Sequence, residues 1–145
     1  MGHDIRWIQR FQNFKRAFLL LSQVLTQGEL DELSDLEQEG VIQRFEYSFE
    51  LAWKTLKDYL DYSGFVLKEA TPRRVIKECA ASGIFAEAEI NAEAYLAMLL
   101  TRNTLSHMYD SEQFKKALVE IKGRYLAQLE RQYQYLLQKE SEAND

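Results

Sequence analysis

The sequence predicts an all-α protein, an antiparallel up-and-down four-helix bundle with one short extra helix. Three observations carry this. With 6 glycines and 1 proline in 145 residues, turn-formers are too few for a many-stranded sheet. Apolar residues recur at steps of three and four along most of the chain, the spacing that lines one face of a helix. Between those stretches stand Ser34, Thr71, Asn91 and Asp110, residue types whose side chains accept from the free amides of a first helical turn.

The first helix is expected from Asp4, as N-cap, to about Thr26. Trp7, Phe11, Phe14, Phe18, Leu21 and Leu25 form its core stripe, while Lys15 and Arg16 fall off it and read as solvated. Gln27 to Ser34 is polar, contains Gly28 and reads as a loop or a frayed end. A second helix starts at Ser34 or Asp35 and runs to Tyr62, with Gly64 as its stop and Gly40 as a weak point. Its stripe is Ile42, Phe45, Phe49, Ala52, Leu56 and Tyr59. After a connector from Phe65 to Ala70, Thr71-Pro72 opens a short helix to about Ser82, ended by Gly83. Ile84 to Ile90 is a connector or a single turn.

Asn91 caps the next element. Asp110 or Ser111 caps the last helix, and Gln113 is placed to complete a capping box with Asp110. That helix reaches about Lys139 through Phe114, Leu118, Ile121, Tyr125, Leu129, Tyr133 and Leu136. Gly123 inside it permits close helix contact. Ser141 to Asp145 is a polar tail.

The chain reads as one domain over residues 1–145, long enough to bury roughly 70% of its unfolded surface. A formal net charge of −5 argues against a general polyanion binder, which needs a basic face, though a local basic pocket is allowed. Cys79 is alone, so no internal disulfide forms and a cytoplasmic location is expected. No apolar run has the length of a membrane span. His3, His107 and Cys79 are too few for a zinc site with several nitrogen or sulfur ligands. No glycine-rich phosphate loop is present, and no cofactor is expected.

One stretch stands out: Arg102-Asn103-Thr104-Leu105-Ser106-His107-Met108-Tyr109. It follows the apolar run Leu96 to Leu100, which reads as buried on nearly every side. Polar groups at the rim of a core need partners. On a helix that holds to Tyr109, Arg102 and Tyr109 point the same way and Asn103 and His107 share the adjacent stripe, so the four make one patch. The plain alternative is a capped helix end, where a cationic His107 would suit the dipole. Since the whole of Leu96–Leu100 cannot face one bundle interior, part of it is expected beneath a second copy, making the protein a homodimer.

Two other groups are candidates. Glu46, Glu50 and Lys54 lie at four-residue steps beside the stripe of the second helix. They are either a solvated face with a Glu50–Lys54 pair or a partner-protein surface. Arg73, Arg74 and Lys77 cluster at a helix start, either solvated or facing a phosphate.

The octet is similar to the R-x4-H-x-Y motif of the HEPN superfamily. The stretch Val41-Ile42-Gln43-Arg44-Phe45-Glu46-Tyr47-Ser48-Phe49-Glu50-Leu51-Ala52-Trp53-Lys54 resembles the helix typical of its nucleotidyltransferase substrate-binding branch. The resemblance implies a dimerising helical bundle whose motif helices meet in a cleft, and a minimal nucleotidyltransferase encoded nearby as partner. It implies one of two roles. The first is the ribonuclease of a toxin-antitoxin pair, metal-independent, with Arg102, His107 and Asn103 as catalytic residues and Tyr109 as the site of silencing by adenylation. The second is a non-catalytic subunit that binds substrate or nucleotide for the nucleotidyltransferase. Under the first, His107 exchanges a proton with RNA, Arg102 meets the phosphoryl oxygens, and Asn103 holds the ring tautomer or the phosphate.

Overall fold

The computed structural model describes residues 2–108 and 110–144, with side chains from Arg6 onward. Among these residues every regular element is helical. In order they are α1 (Gly2–Thr26), a 3-10 turn (Leu30–Glu32), α2 (Asp35–Tyr62), α3 (Pro72–Ala81), α4 (Ile84–Ala88), α5 (Ala92–Leu105), α6 (Ser111–Glu120), a π-helical turn (Ile121–Tyr125) and α7 (Leu126–Ala143).

The helix ends follow from local chemistry. The Ser34 hydroxyl accepts from the Glu37 amide at 3.1 Å and Glu37 Oε1 accepts from the Ser34 amide at 2.9 Å, a complete capping box. Thr71 Oγ1 accepts from Arg74 N at 3.3 Å, and Asn91 Oδ1 accepts from Ala94 N at 2.8 Å. Beyond α2 and α3 the chain reverses through Gly64 (φ 94°) and Gly83 (φ 89°), left-handed conformations in which a side chain is strained.

Several expectations need correction. α1 begins at Gly2, so Asp4 lies inside it and is not its N-cap. Gln27 to Ser34 is more than a loop, because Leu30–Glu32 forms a 3-10 turn in which Glu32 Oε1 accepts from the Glu29 amide at 3.2 Å. For Ile84 to Ile90 the single-turn alternative holds: Ile84–Ala88 is a short helix between left-handed Gly83 and Glu89, with Ile84, Phe85 and Ala88 buried. The capping box of Asp110 with Gln113 does not form: the Asp110 carboxylate accepts from Glu112 N at 2.9 Å instead. A Cβ built on Gly123 meets nothing within 4 Å, so this glycine mediates no close helix contact. It sits in the π turn, and the last helix then runs past Lys139 to Ala143.

The largest correction concerns α5. It ends at Leu105, and the amides of His107 and Met108 turn back to the carbonyls of Thr104 and Leu105 at 3.0 and 3.2 Å. These three-residue closures tighten the chain out of α-helical register, so His107 is not placed by continuing the helix. Tyr109 lies outside the described residues. Nor is the run before the motif enclosed throughout: Met98 and Leu99 are buried, Leu96 and Ala97 half-buried, and Leu100 is 62% exposed.

Both predicted aromatic stripes pack as expected. Every member of the α1 stripe is at most 1% exposed. Phe11 and Phe18 stack against Tyr133 of α7, at 6.2 and 5.3 Å between ring centroids. α1 and α2 run antiparallel, since Arg10 meets Asp58 while Arg44 reaches the Leu20 carbonyl. α5 is tied to the π turn and α7 by polar contacts. Asn91 N donates to Gln128, the Tyr95 hydroxyl donates to Gln132 Oε1, and Thr101 pairs with Tyr125 at 2.7 Å. Gln132, fully buried, also donates to the Ala52 carbonyl at 2.9 Å. One amide thus ties α5, α7 and α2.

Gln132→Leu strands the Tyr95 hydroxyl in the core, where an unsatisfied buried group costs about 1–3 kcal/mol, and removes the second donor to the Ala52 carbonyl. Urea denaturation should show a loss in that range. The Tyr95→Phe/Gln132→Leu double variant should lose less than the sum of the singles, because its hydroxyl is no longer orphaned.

Candidate functional site

The site grows from an acid set beside the core. Glu50 sits on α2 between Phe49 and Ala52, both fully buried, with Trp53 one turn on. A carboxylate there needs compensation. It is supplied from three directions. The Trp53 indole donates at 3.1 Å, Lys54 Nζ approaches to 3.1 Å, and Arg102 Nη2 reaches across from α5 to Glu50 Oε2. Burial alone would raise the Glu50 carboxyl, but the Trp53 and Lys54 hydrogen bonds and the Arg102 charge outweigh it and hold it below its ordinary value.

Arg102 is correspondingly fixed. Its guanidinium carbon lies 5.6 Å from the centre of the Phe49 ring, a cation–π distance, and Nη1 donates to Asn103 Oδ1 at 3.0 Å. Asn103 therefore holds the arginine in this structure. Glu50 and Lys54, read from sequence as a possible partner face, belong to the same cluster as Arg102. Glu46 is half-buried and helps line a hollow of about 220 Å³ with Leu105, Ser106 and Phe114, so it too faces the end of α5.

His107 is on another side. It is exposed and lines an open hollow of about 450 Å³ together with Thr101, Thr104, Gln113 and Lys116. Arg102 points to α2 while His107 faces α6, so a single chain does not bring the two into one patch. Sequence reading missed Lys116, which only the packing of α6 against the end of α5 puts beside His107. It also missed the Glu50–Arg102 pair. The available signal was a carboxylate flanked by the densest aromatic stretch of the chain.

Other candidates are separate. Arg73, Arg74 and Lys77 are exposed on α3, and Arg74 lies 3.7 Å from Glu69. Burial, with Glu78 adding to it, pushes the Cys79 thiol up to about 12, which leaves it un-ionised and inert. Among the described residues no three His, Cys, Asp or Glu side chains cluster as a metal site, and no helix is long and apolar enough to cross a membrane.

The family model for nucleotidyltransferase substrate binding protein like proteins matches residues 9–138, a span that contains both the α2 stretch and the octet. The chain belongs to this family. The resemblance drawn from those two stretches is thereby borne out at the level of the substrate-binding branch. No curated protein matches the chain. Among solved structures, the crystal structure of a protein from Thermus thermophilus is similar, with a TM-score of 0.67 and 27% identity over 87% of this chain and 97% of that one. Family membership implies association with a nucleotidyltransferase.

The depressed Glu50 carboxyl sets the sign of a pH effect. Its contribution to stability is full above the unfolded-state value and is lost as pH falls through the lower folded-state value. In a Trp7→Phe background, Trp53 fluorescence should change on acidification with a midpoint below 4.5, the ordinary carboxyl value. Glu50→Gln should abolish that transition. A midpoint at or above 4.5 would mean that the three donors do not outweigh burial.

Proposed function

We propose that this protein is the HEPN-type partner of a minimal nucleotidyltransferase and acts as the metal-independent endoribonuclease of a toxin-antitoxin pair, silenced by nucleotidylation of Tyr109. The observation that carries this reading is the open hollow in which His107 stands with Lys116, Thr101, Thr104 and Gln113; the one carboxylate of its lining, Glu120, lies 3.9 Å from Arg124. Around a phosphodiester, this set supplies an imidazole for proton transfer, a cation for the phosphoryl charge, and neutral donors to orient it.

In the proposed reaction His107 takes the proton of a ribose 2′-hydroxyl and the 2′-oxygen attacks phosphorus. The bond from phosphorus to the 5′-oxygen breaks, and that oxygen leaves with a proton from an acid or water. The products are a 2′,3′-cyclic phosphate and a free 5′-hydroxyl. Arg102 stabilises the phosphoryl charge. Because Arg102 and His107 of one chain face different sides of α5, the shared cleft belongs to a homodimer. Support for that dimer is the strip beside the motif, Leu96 and Ala97 half-buried and Leu100 exposed, which is apolar surface of the kind a second copy covers. Silencing transfers adenylate from ATP to the Tyr109 hydroxyl with release of pyrophosphate. It adds negative charge and bulk next to the motif. Glu46 and Lys54, at the rim of the same region, are the proposed contacts for the nucleotidyltransferase.

One observation favours the second reading, a non-catalytic subunit that binds substrate or nucleotide. Arg102 is already neutralised by Glu50, and the family takes its description from substrate binding.

The purified protein, free of its partner, should cleave RNA in the presence of chelator. His107→Ala should lose about 10²–10⁴ of the rate and Arg102→Ala about 10²–10³. Co-expressed nucleotidyltransferase should co-purify, silence cleavage and add adenylate to Tyr109, and Glu46→Lys should weaken the complex. If His107→Ala equals wild type and Tyr109 is never modified, the binding-subunit reading replaces the enzyme.

Light scattering should give a dimer mass for wild type and a monomer mass for Leu100→Glu. A clean monomer for wild type at micromolar concentration removes the shared cleft.

A further inference from the structure

One turn along α2 from the Glu50–Arg102 pair, α1 and α2 enclose a half-open hollow of about 260 Å³. It is lined by Asn13, Arg16, Ala17, Leu20, Arg44 and Tyr47. The lining holds two guanidiniums and no carboxylate, in a chain of net charge −5. Neither arginine belongs to an ion pair among the described residues. Instead each is aimed by a neutral acceptor. Arg44 Nη1 donates to the Leu20 carbonyl at 3.2 Å, and Arg16 Nη2 donates to Asn13 Oδ1. The remaining guanidinium donors are left for a ligand. Beside them Tyr47 is 61% exposed and Leu20 50% exposed, a flat aromatic surface with an aliphatic edge. Glu46, the residue before Tyr47, lines the different hollow at the end of α5, so its charge is turned away.

We propose that this hollow is a nucleotide subsite. The base lies on the Tyr47 ring against Leu20, the Asn13 amide meets the base edge, and Arg16 with Arg44 takes the phosphate. Aromatic stacking accepts any base because every base has a π-face, and a guanidinium fork matches two phosphoryl oxygens at once. The volume lies below the roughly 300–1,000 Å³ of enclosed ligand pockets, which suits one base on an open platform. Position gives the subsite its use. Tyr47 and Glu50 are three residues apart on α2 and so are neighbours on one face, and Glu50 in turn holds Arg102, so a single strand laid along this face meets both. In this respect the inference rests on the ribonuclease reading, with the subsite holding the RNA residue next to the scissile one. The same base-plus-phosphate chemistry also fits a free nucleotide, and the probes below separate the two.

The test uses full-length His107→Ala protein, which binds without cleaving, with a labelled eight-nucleotide single-stranded RNA and, separately, AMP. Tyr47→Leu should weaken RNA binding about tenfold, while Tyr47→Phe should bind like the parent. Arg16→Gln with Arg44→Gln should flatten the slope of log K against log salt by about 0.7 for each phosphate that is no longer neutralised. Weaker binding of RNA alone assigns the subsite to a strand. Weaker binding of AMP as well assigns it to a nucleotide as such, and either result sustains the proposal. It is overturned if the parent binds neither probe, or if all variants bind as the parent does. It is equally overturned if the substitutions turn a dimer into a monomer, which makes the hollow an interface between copies. Cleavage by wild-type protein is scored apart. If Tyr47→Leu cleaves and binds like wild type, the ribonuclease stands without the subsite. If wild type never cleaves yet loses binding on Tyr47→Leu, the subsite stands without the ribonuclease.

Discussion

Helix α2 runs through the middle of the molecule with α1 on one side and α3, α5, α6 and α7 around the rest. Along its centre it is buried at Phe45, Ser48, Phe49, Ala52, Trp53, Thr55, Leu56 and Asp58. Two carboxylates are set into this enclosed helix, and each is answered by an arginine from a different neighbour. Asp58 takes Arg10 of α1 at 3.0 Å, and Glu50 takes Arg102 of α5. Leaving Asp58 unpaired in such surroundings costs far more than pairing it gains, whereas the Glu50 side chain is 32% exposed and its pairing is partly screened. The Glu50–Arg102 pair still marks how α5 is rotated. With Arg102 committed to α2, Thr101 turns to Tyr125 of the π turn before the last helix, Tyr95 turns to Gln132, and Leu100 is left facing outward.

That rotation divides the octet Arg102 to Tyr109. The arginine and its amide neighbour Asn103 become part of an ordered network that includes Trp53 and Lys54, while the chain leaves the helix at Leu105 and delivers His107 to the side of α6. An arginine held by a carboxylate, an aromatic face and an amide is preorganised in position, which is what transition-state stabilisation asks of a charged donor. The histidine, exposed in an open hollow, has the access a proton-transfer group requires. In the proposed dimer the two halves are complementary across copies, and the apolar strip at Leu96, Ala97 and Leu100 lies beside them on α5.

The overall acidity and the local cations also fall into place spatially. Acidic residues stand in the first turns of helices, as at Asp35, Glu37 and Glu93, where they favour the helix dipole. Arg16 and Arg44, by contrast, gather where α1 meets α2 and line a hollow with Tyr47. A formal charge of −5 thus hides a small positive surface on the face of α2 next to Glu50, and net charge alone is a poor guide to what such a protein binds.

Sequence by itself determined the helices, their caps at Ser34, Thr71 and Asn91, and the core stripes of α1 and α2, because three-and-four periodicity and capping are properties of a few consecutive residues. Resemblance in Arg102 to Tyr109 and in the α2 stretch also pointed to the family, whose model matches residues 9–138. The sequence did not reveal where α5 stops, since the turn at Ser106 is built from ordinary residues with no Gly or Pro to announce it. Nor did it reveal that Glu50, 52 positions away, holds Arg102, or that Lys116 stands beside His107. Those relations depend on how α5 and α6 lie against their neighbours. Long-range packing decides them, because a buried charge can be satisfied by any helix that reaches it, and only the folded core selects which one does.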